Sequence, residues 1–203
     1  MIRFTPEEIN LVADEQFFPA KARISKKVRD ILEEVYAGLE TDLSGIKVLA
    51  PTDFDVAKFQ FVKGEHLDGF PYQYLDFPKH FSGADKFTFR SLFWWGHHAV
   101  FALLLEGEGL KRYKQNLINR YHEVAGRRLC LCLGPTLWEW RQGEGYTLPL
   151  TRERKPEVAA ILSNRPFFKL ARFVPLNDPA VIEGRLPQVA RETFQALLPV
   201  ITP

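Results

Sequence analysis

The sequence predicts one α+β domain over residues 1–203, a mixed, largely antiparallel sheet packed with helices. Three observations predict it. Apolar residues recur at helical spacing near both ends of the chain. A ring-dense stretch between Phe54 and Phe101 has the composition of strands. No repeat, low-complexity tract or linker divides the 203 residues. A chain of this length buries roughly 70% of the surface its unfolded form exposes, so it needs neither disulfides nor metal to fold.

The N-terminal elements are helical. Thr5-Pro6-Glu7-Glu8 has the form of a capping box with Pro at the first helical position, and this helix should stop near Phe17 and Phe18, before Pro19. A longer helix is expected from about Ala20 to Glu40, with Ile24, Val28, Ile31, Leu32, Val35 and Leu39 forming one stripe. Strands follow at Phe59–Val62 and Tyr72–Phe77, with the loop between them punctuated by Gly64, Gly69 and Pro71.

Phe87 to Glu106 reads as a hairpin. As one straight strand it would reach roughly 66 Å. A compact chain of this size has a radius of gyration near ~17 Å. The turn is placed at Trp95-Gly96-His97-His98, with Gly96 in a two-residue loop. That register sets Trp95 opposite His98, Trp94 opposite Ala99, Phe93 opposite Val100 and Arg90 opposite Leu103. A bend at Gly96 in a broken strand is the alternative. Both faces are apolar, so both require cover, one of them from helices.

Further helices are expected at Glu108–Ala125, Lys155–Ser163 and Pro187–Leu198, with a helical turn capped by Asp178-Pro179. Further strands are expected at Leu129–Leu133, Leu137–Arg141, Tyr146–Leu150 and Phe168–Pro175.

Composition excludes several classes. The net charge of +2 gives no electrostatic case for nucleic acid or acidic membranes. The basic clusters Lys21–Arg29 and Lys111–Lys114 read as solvated helix faces. The longest apolar run, Ala99 to Leu105, is far short of the ~20 residues that span a bilayer. The N-terminus lacks the apolar run of a signal peptide, so the chain reads as cytoplasmic. Cys130 and Cys132 are the only cysteines and read as buried thiols.

No motif fixes a reaction, so enzymatic activity is left open, and nothing implies a cofactor. His97-His98 would point to opposite sheet faces and reads as structural rather than metal-binding. Arg90 sits among Phe89, Leu92 and Phe93. A guanidinium there needs a partner, either Asp76, Asp85 or Glu65, or an anionic ligand. Glu65, His66 and Asp68 gather in a loop where a His between acids could act as a general base.

The Phe4-Thr5 helix opening, Gly69-Phe-Pro71 before a strand containing Gln73, His98-Ala-Val-Phe101, and the closing Glu192-Thr-Phe-Gln-Ala-Leu-Leu-Pro199 carry a resemblance. The chain resembles the YktB-like family, small bacterial proteins of unassigned function. The resemblance implies an α+β fold and no activity.

The leading functional reading is a protein that binds an anionic or aromatic small molecule beside the aromatic sheet. Arg90 would anchor the anion, Trp95 and Tyr74 would form walls, and His66 and His98 would make polar contacts. A non-catalytic protein–protein interaction module is the second reading. A hydrolase or transferase with His66 or His98 as base is the third. The oligomeric state is not encoded in any motif.

Overall fold

Four long antiparallel strands, each hairpinned to the next, build the centre of the molecule. A computed structural model describes residues 2–203. The strands are β1 (Gln60–Leu67), β2 (Phe70–Ser82), β3 (Asp85–Trp94) and β4 (His98–Glu106). Three more, β5 (Cys130–Cys132), β6 (Thr147–Pro149) and β7 (Phe167–Pro175), extend the sheet to the order β1-β2-β3-β4-β7-β5-β6. Every neighbouring pair is antiparallel.

Helices cover one face. After α1 (Pro6–Val12), which buries no residue, they are α2 (Phe17–Leu43), α3 (Leu110–Asn119), α4 (Tyr121–Val124), α5 (Lys155–Ser163), α6 (Pro179–Ile182) and α7 (Leu186–Ile201). Of the predicted stripe on α2, Val28, Leu32, Val35 and Leu39 are buried and Ile31 is half-buried, while Ile24 is exposed. The buried four share a core with Phe194 and Leu197 of α7 and with Leu75, Phe77, Phe87, Phe89 and Leu103 of the sheet. Phe89 meets Phe194 edge to face, with centroids 5.1 Å apart. No helix is long and apolar enough to cross a membrane among the described residues.

The opposite face has a different cover. Leu92, Trp94, Val100, Ala102, Leu104 and Ala171 form a second buried cluster with Cys132, Leu137 and Trp140. Leu137 and Trp140 belong to the segment 134–141, which forms no strand, contrary to expectation.

Several boundaries move from those expected, each for a local reason. The Thr5 capping box is present, Glu8 N–H donating to Thr5 Oγ1 at 3.2 Å and Thr5 N–H to the Glu8 carboxylate at 2.6 Å. Pro19 does not precede α2 but lies in its first turn, where a missing N–H costs nothing. The helix expected over 108–125 breaks at Arg120 into α3 and α4. α7 continues through Pro199 to Ile201, and Asn116 Nδ2 donates to the carbonyls of Val200 and Thr202 at 3.2 and 2.9 Å.

The β3–β4 register differs by one residue. Trp94 opposes His98, Phe93 opposes Ala99 and Arg90 opposes Ala102. Three residues rather than two form the turn, Trp95, Gly96 and His97, with Gly96 at φ +71°.

The loop between the first two strands, by contrast, is shorter than expected. Glu65 and His66 lie within β1, and Leu67 pairs with Phe70 across a two-residue turn. Asp68 and Gly69 have φ of +49° and +83°, the pairing of signs that a type I′ turn needs.

An added Cβ at Gly69 meets nothing within 4 Å, so a substitution there acts through backbone conformation alone. Gly69→Ala should lower the unfolding free energy by about 1 kcal/mol. Urea denaturation with an unchanged slope would show it.

Candidate functional site

The face without helices carries a cleft of about 300 Å³, lined by Leu67, Tyr72, Tyr74, Phe81, Arg90, Leu92, Trp138 and Trp140. Strand alternation explains half of this lining. Tyr72 and Tyr74 of β2 pair with Trp94 and Leu92 of β3, so these four share a face with Arg90. Bulges explain Leu67 and Phe81. One extra residue between Gly64 and Leu67, and another between Asp76 and Lys79, shift the register. Each bulge turns the following side chains to the other face, which brings Leu67 and Phe81 onto the cleft side. Gly64 makes room for Tyr72, since a Cβ there would lie 2.3 Å from the phenol ring.

Arg90 forms the floor with Asp76. Its Nε donates to Asp76 Oδ1 and its Nη2 to Oδ2, both at 2.7 Å. Asp76 is fully buried and Arg90 nearly so. The guanidinium carbon lies 3.7 Å from the Tyr74 ring centroid, 5.0 Å from Trp138 and 5.6 Å from Trp140. Three rings thus surround one cation. Burial beside this pair raises the Tyr74 phenol above its usual range, so it is a neutral hydroxyl at physiological pH.

Trp138 and Trp140 hang on a segment without ladder bonds, so its carbonyls need other donors. Lys169, on β7, supplies two. Its ammonium donates to Leu137 O at 2.8 Å and to Glu139 O, and lies 3.7 Å from the Trp140 ring. His98 Nε2 lies 3.0 Å from Trp140 O. A carbonyl only accepts, so Nε2 carries the proton. Arg165 donates to Cys132 O at 3.0 Å and to Leu133 O. Ala102 and Ala171 share the buried cluster with Trp140.

Burial pushes the Lys169 ammonium down to about 8. It also lowers His98, so the imidazole is neutral at neutral pH. Glu139 is held at about 2 by its hydrogen bonds to Arg141. Burial raises the Cys132 thiol to about 11, leaving it protonated and unreactive.

Of the residues picked from sequence, Tyr74 and Arg90 line the cleft and His98 supports its wall. Trp95 does not line it. It sits half-buried in the β3–β4 turn, its N–H donating to Pro71 O at 3.0 Å. Trp94 takes the expected inward place and donates from Nε1 to Leu67 O at 3.0 Å. His66 is exposed on the edge strand, away from the cleft. Of the three acids considered for Arg90, the partner is Asp76. His97 and His98 part company, His97 stacking on Trp94 with centroids 3.7 Å apart. No three His, Cys, Asp or Glu side chains converge as a metal site would require, among the described residues.

Sequence reasoning missed Trp138, Trp140 and Lys169. The two-residue spacing of the tryptophans was the available signal, because it puts both on one side of an extended segment. A lysine inside the apolar run Phe167–Val174 was the other.

Against known protein families, curated proteins and solved structures the chain finds no match.

Two outcomes test this geometry. Asp76→Asn or Arg90→Met leaves one buried charge unpaired and should cost about 3–5 kcal/mol, while Asp76→Leu combined with Arg90→Met should cost less than the two singles together. Equilibrium unfolding of the four proteins measures it. Lys169 yields a pH signature. Its folded value of about 8 lies below the ordinary 10.5. Between these values the unfolded chain binds more protons, so stability should rise with pH from about 8. Cys132, raised to about 11 from 9.0, acts in the opposite sense above 9, and Tyr113, raised to about 12 from 10.0, does so above 10, so the window is about 8 to 9. Lys169→Met should erase that rise.

Proposed function

We propose that the protein binds a flat, anionic small molecule in the aromatic cleft. The observation that carries this reading is the combination of open rings with surplus positive charge. Trp138 is 42% exposed, and Tyr72 and Tyr74 stand parallel, 6.1 Å apart at 8°. Such faces accept a planar ring by stacking. Beneath them Arg90 is neutralised by Asp76, but Lys169 is held only by carbonyls and a ring. A negative group in the cleft would lie against the Arg90 guanidinium, with the Lys169 charge behind the Trp140 ring. The volume of about 300 Å³ is at the lower end of small-molecule sites, which suits one or two fused rings.

A wider depression beside α7, about 680 Å³, supports the reading less well. Its lining residues include charges already paired, Arg172 with Glu192 at 3.3 Å. Catalysis by a histidine base is also less supported. His98 Nε2 is committed to Trp140 O, and His66 lies outside the cleft.

Tryptophan fluorescence titration with benzene- and indole-ring carboxylates tests the proposal. Saturable quenching is expected, with the matching methyl esters binding at least tenfold more weakly. Trp138→Ala, which removes a half-exposed ring, should abolish the response without unfolding the protein. Quenching indifferent to charge and to Trp138 would refute the reading.

A further inference from the structure

The N-terminal arm is built to be covered. Residues 2–19 are all solvent-exposed, and α1 buries no residue. Eight of the thirteen exposed large apolar side chains fall within residues 2–24. Among them are Phe4, Ile9, Leu11, Val12, Phe17 and Phe18. Their combined exposed surface is on the order of 800 Å², about what one partner contributes to a standard interface.

The arm is nonetheless ordered. The Thr5–Glu8 capping box closes one end of α1. Asp14 accepts from the N–H groups of Gln16 and Phe17 at 2.8 and 3.0 Å, which fixes the joint to α2. A helix of seven residues is marginal in water without packing, even when capped. Its order and its uncovered apolar surface together call for a partner.

Charge identifies which partner. Residues 2–16 carry Glu7, Glu8, Asp14 and Glu15 against Arg3 alone. Residues 17–29 carry Lys21, Arg23, Lys26, Lys27 and Arg29 and no acid. Within the chain Lys21, Lys26 and Arg29 pair with Glu65, Asp30 and Glu33, none of them an acid of the arm, whereas Arg23 and Lys27 enter no ion pair among the described residues and remain to meet an acid from outside. An arm acidic in its first half and basic in its second is complementary to itself when two copies lie antiparallel. A two-fold interface requires such self-complementarity. Laid parallel, the same arms would set like charges together.

We propose that residues 2–29 form a homodimer interface, the acidic α1 of one copy packing on the basic start of α2 of the other. The inference rests on the arm and is independent of the cleft.

Analytical ultracentrifugation of the full chain over a wide concentration range should show a dimer. Leu11→Ser with Phe18→Ser should give a monomer with unchanged circular dichroism and thermal midpoint, since neither residue touches the core. Glu7→Lys with Glu15→Lys should be monomeric, and so should Arg23→Glu with Lys27→Glu. Mixing these two charge-reversed proteins should restore a dimer, because each then presents the charge the other lacks. A wild-type monomer at every concentration overturns the proposal. So does a dimer indifferent to the arm variants, a mixture that stays monomeric, or association only with vesicles of anionic lipid.

Discussion

Lys169 holds a strip of chain against a sheet face that no helix reaches. The sheet is apolar on both sides, and the helices that pack on it are all on one. The other side is covered by the segment 134–141, which brings in Leu137 and Trp140. Burying an indole of ~200 Å² contributes on the order of 5 kcal/mol before entropy is counted. Each carbonyl left without a donor would cost about 1–3 kcal/mol, and three of them would cancel that gain. Lys169 and His98 supply donors to the carbonyls of Leu137, Glu139 and Trp140. The cover is therefore stable because side chains, rather than a neighbouring strand, answer its backbone.

The same arrangement shapes the cleft. Because Lys169 and His98 reach the backbone from below, Trp140 turns inward while Trp138 remains part-exposed beside Phe81, their centroids 6.0 Å apart. Arg90 and Asp76 then plug the floor. Their bidentate pair fills the space between Tyr74 and the two indoles, so the rings are held apart by a charged group rather than collapsing onto one another. Removing the pair would change the shape of the site as well as its charge. Stability and recognition depend here on the same few side chains.

Much of the fold was legible in the sequence. Lys155–Ser163 is a helix over the residues its pattern marks, and the α2 stripe points inward from Val28 to Leu39. What failed was register. One extra residue in the β3–β4 turn exchanges Trp95 for Trp94 as the inward ring, because side chains alternate at every step along a strand. The two bulges do the same to Leu67 and Phe81. The Asp68-Gly69 pair was a readable turn signal, and attention to it would have returned Glu65 and His66 to the strand. Half of the candidate site was visible as a result. Arg90 and Tyr74 declared themselves as polar groups among rings, whereas His66 was a loop residue only on paper.

By itself the sequence determined the helices, the ring-rich hairpins, the α+β class and the need of Arg90 for an acidic partner. These follow from local periodicity and from the cost of a buried charge, both carried by a few neighbouring residues. Only the tertiary structure decided that Asp76 is that partner, that Trp138 and Trp140 close the cleft, and that Lys169 lies beneath them. Those contacts join residues 14 to 57 positions apart. Turn length and bulges set which of them meet, and a periodic pattern does not record either.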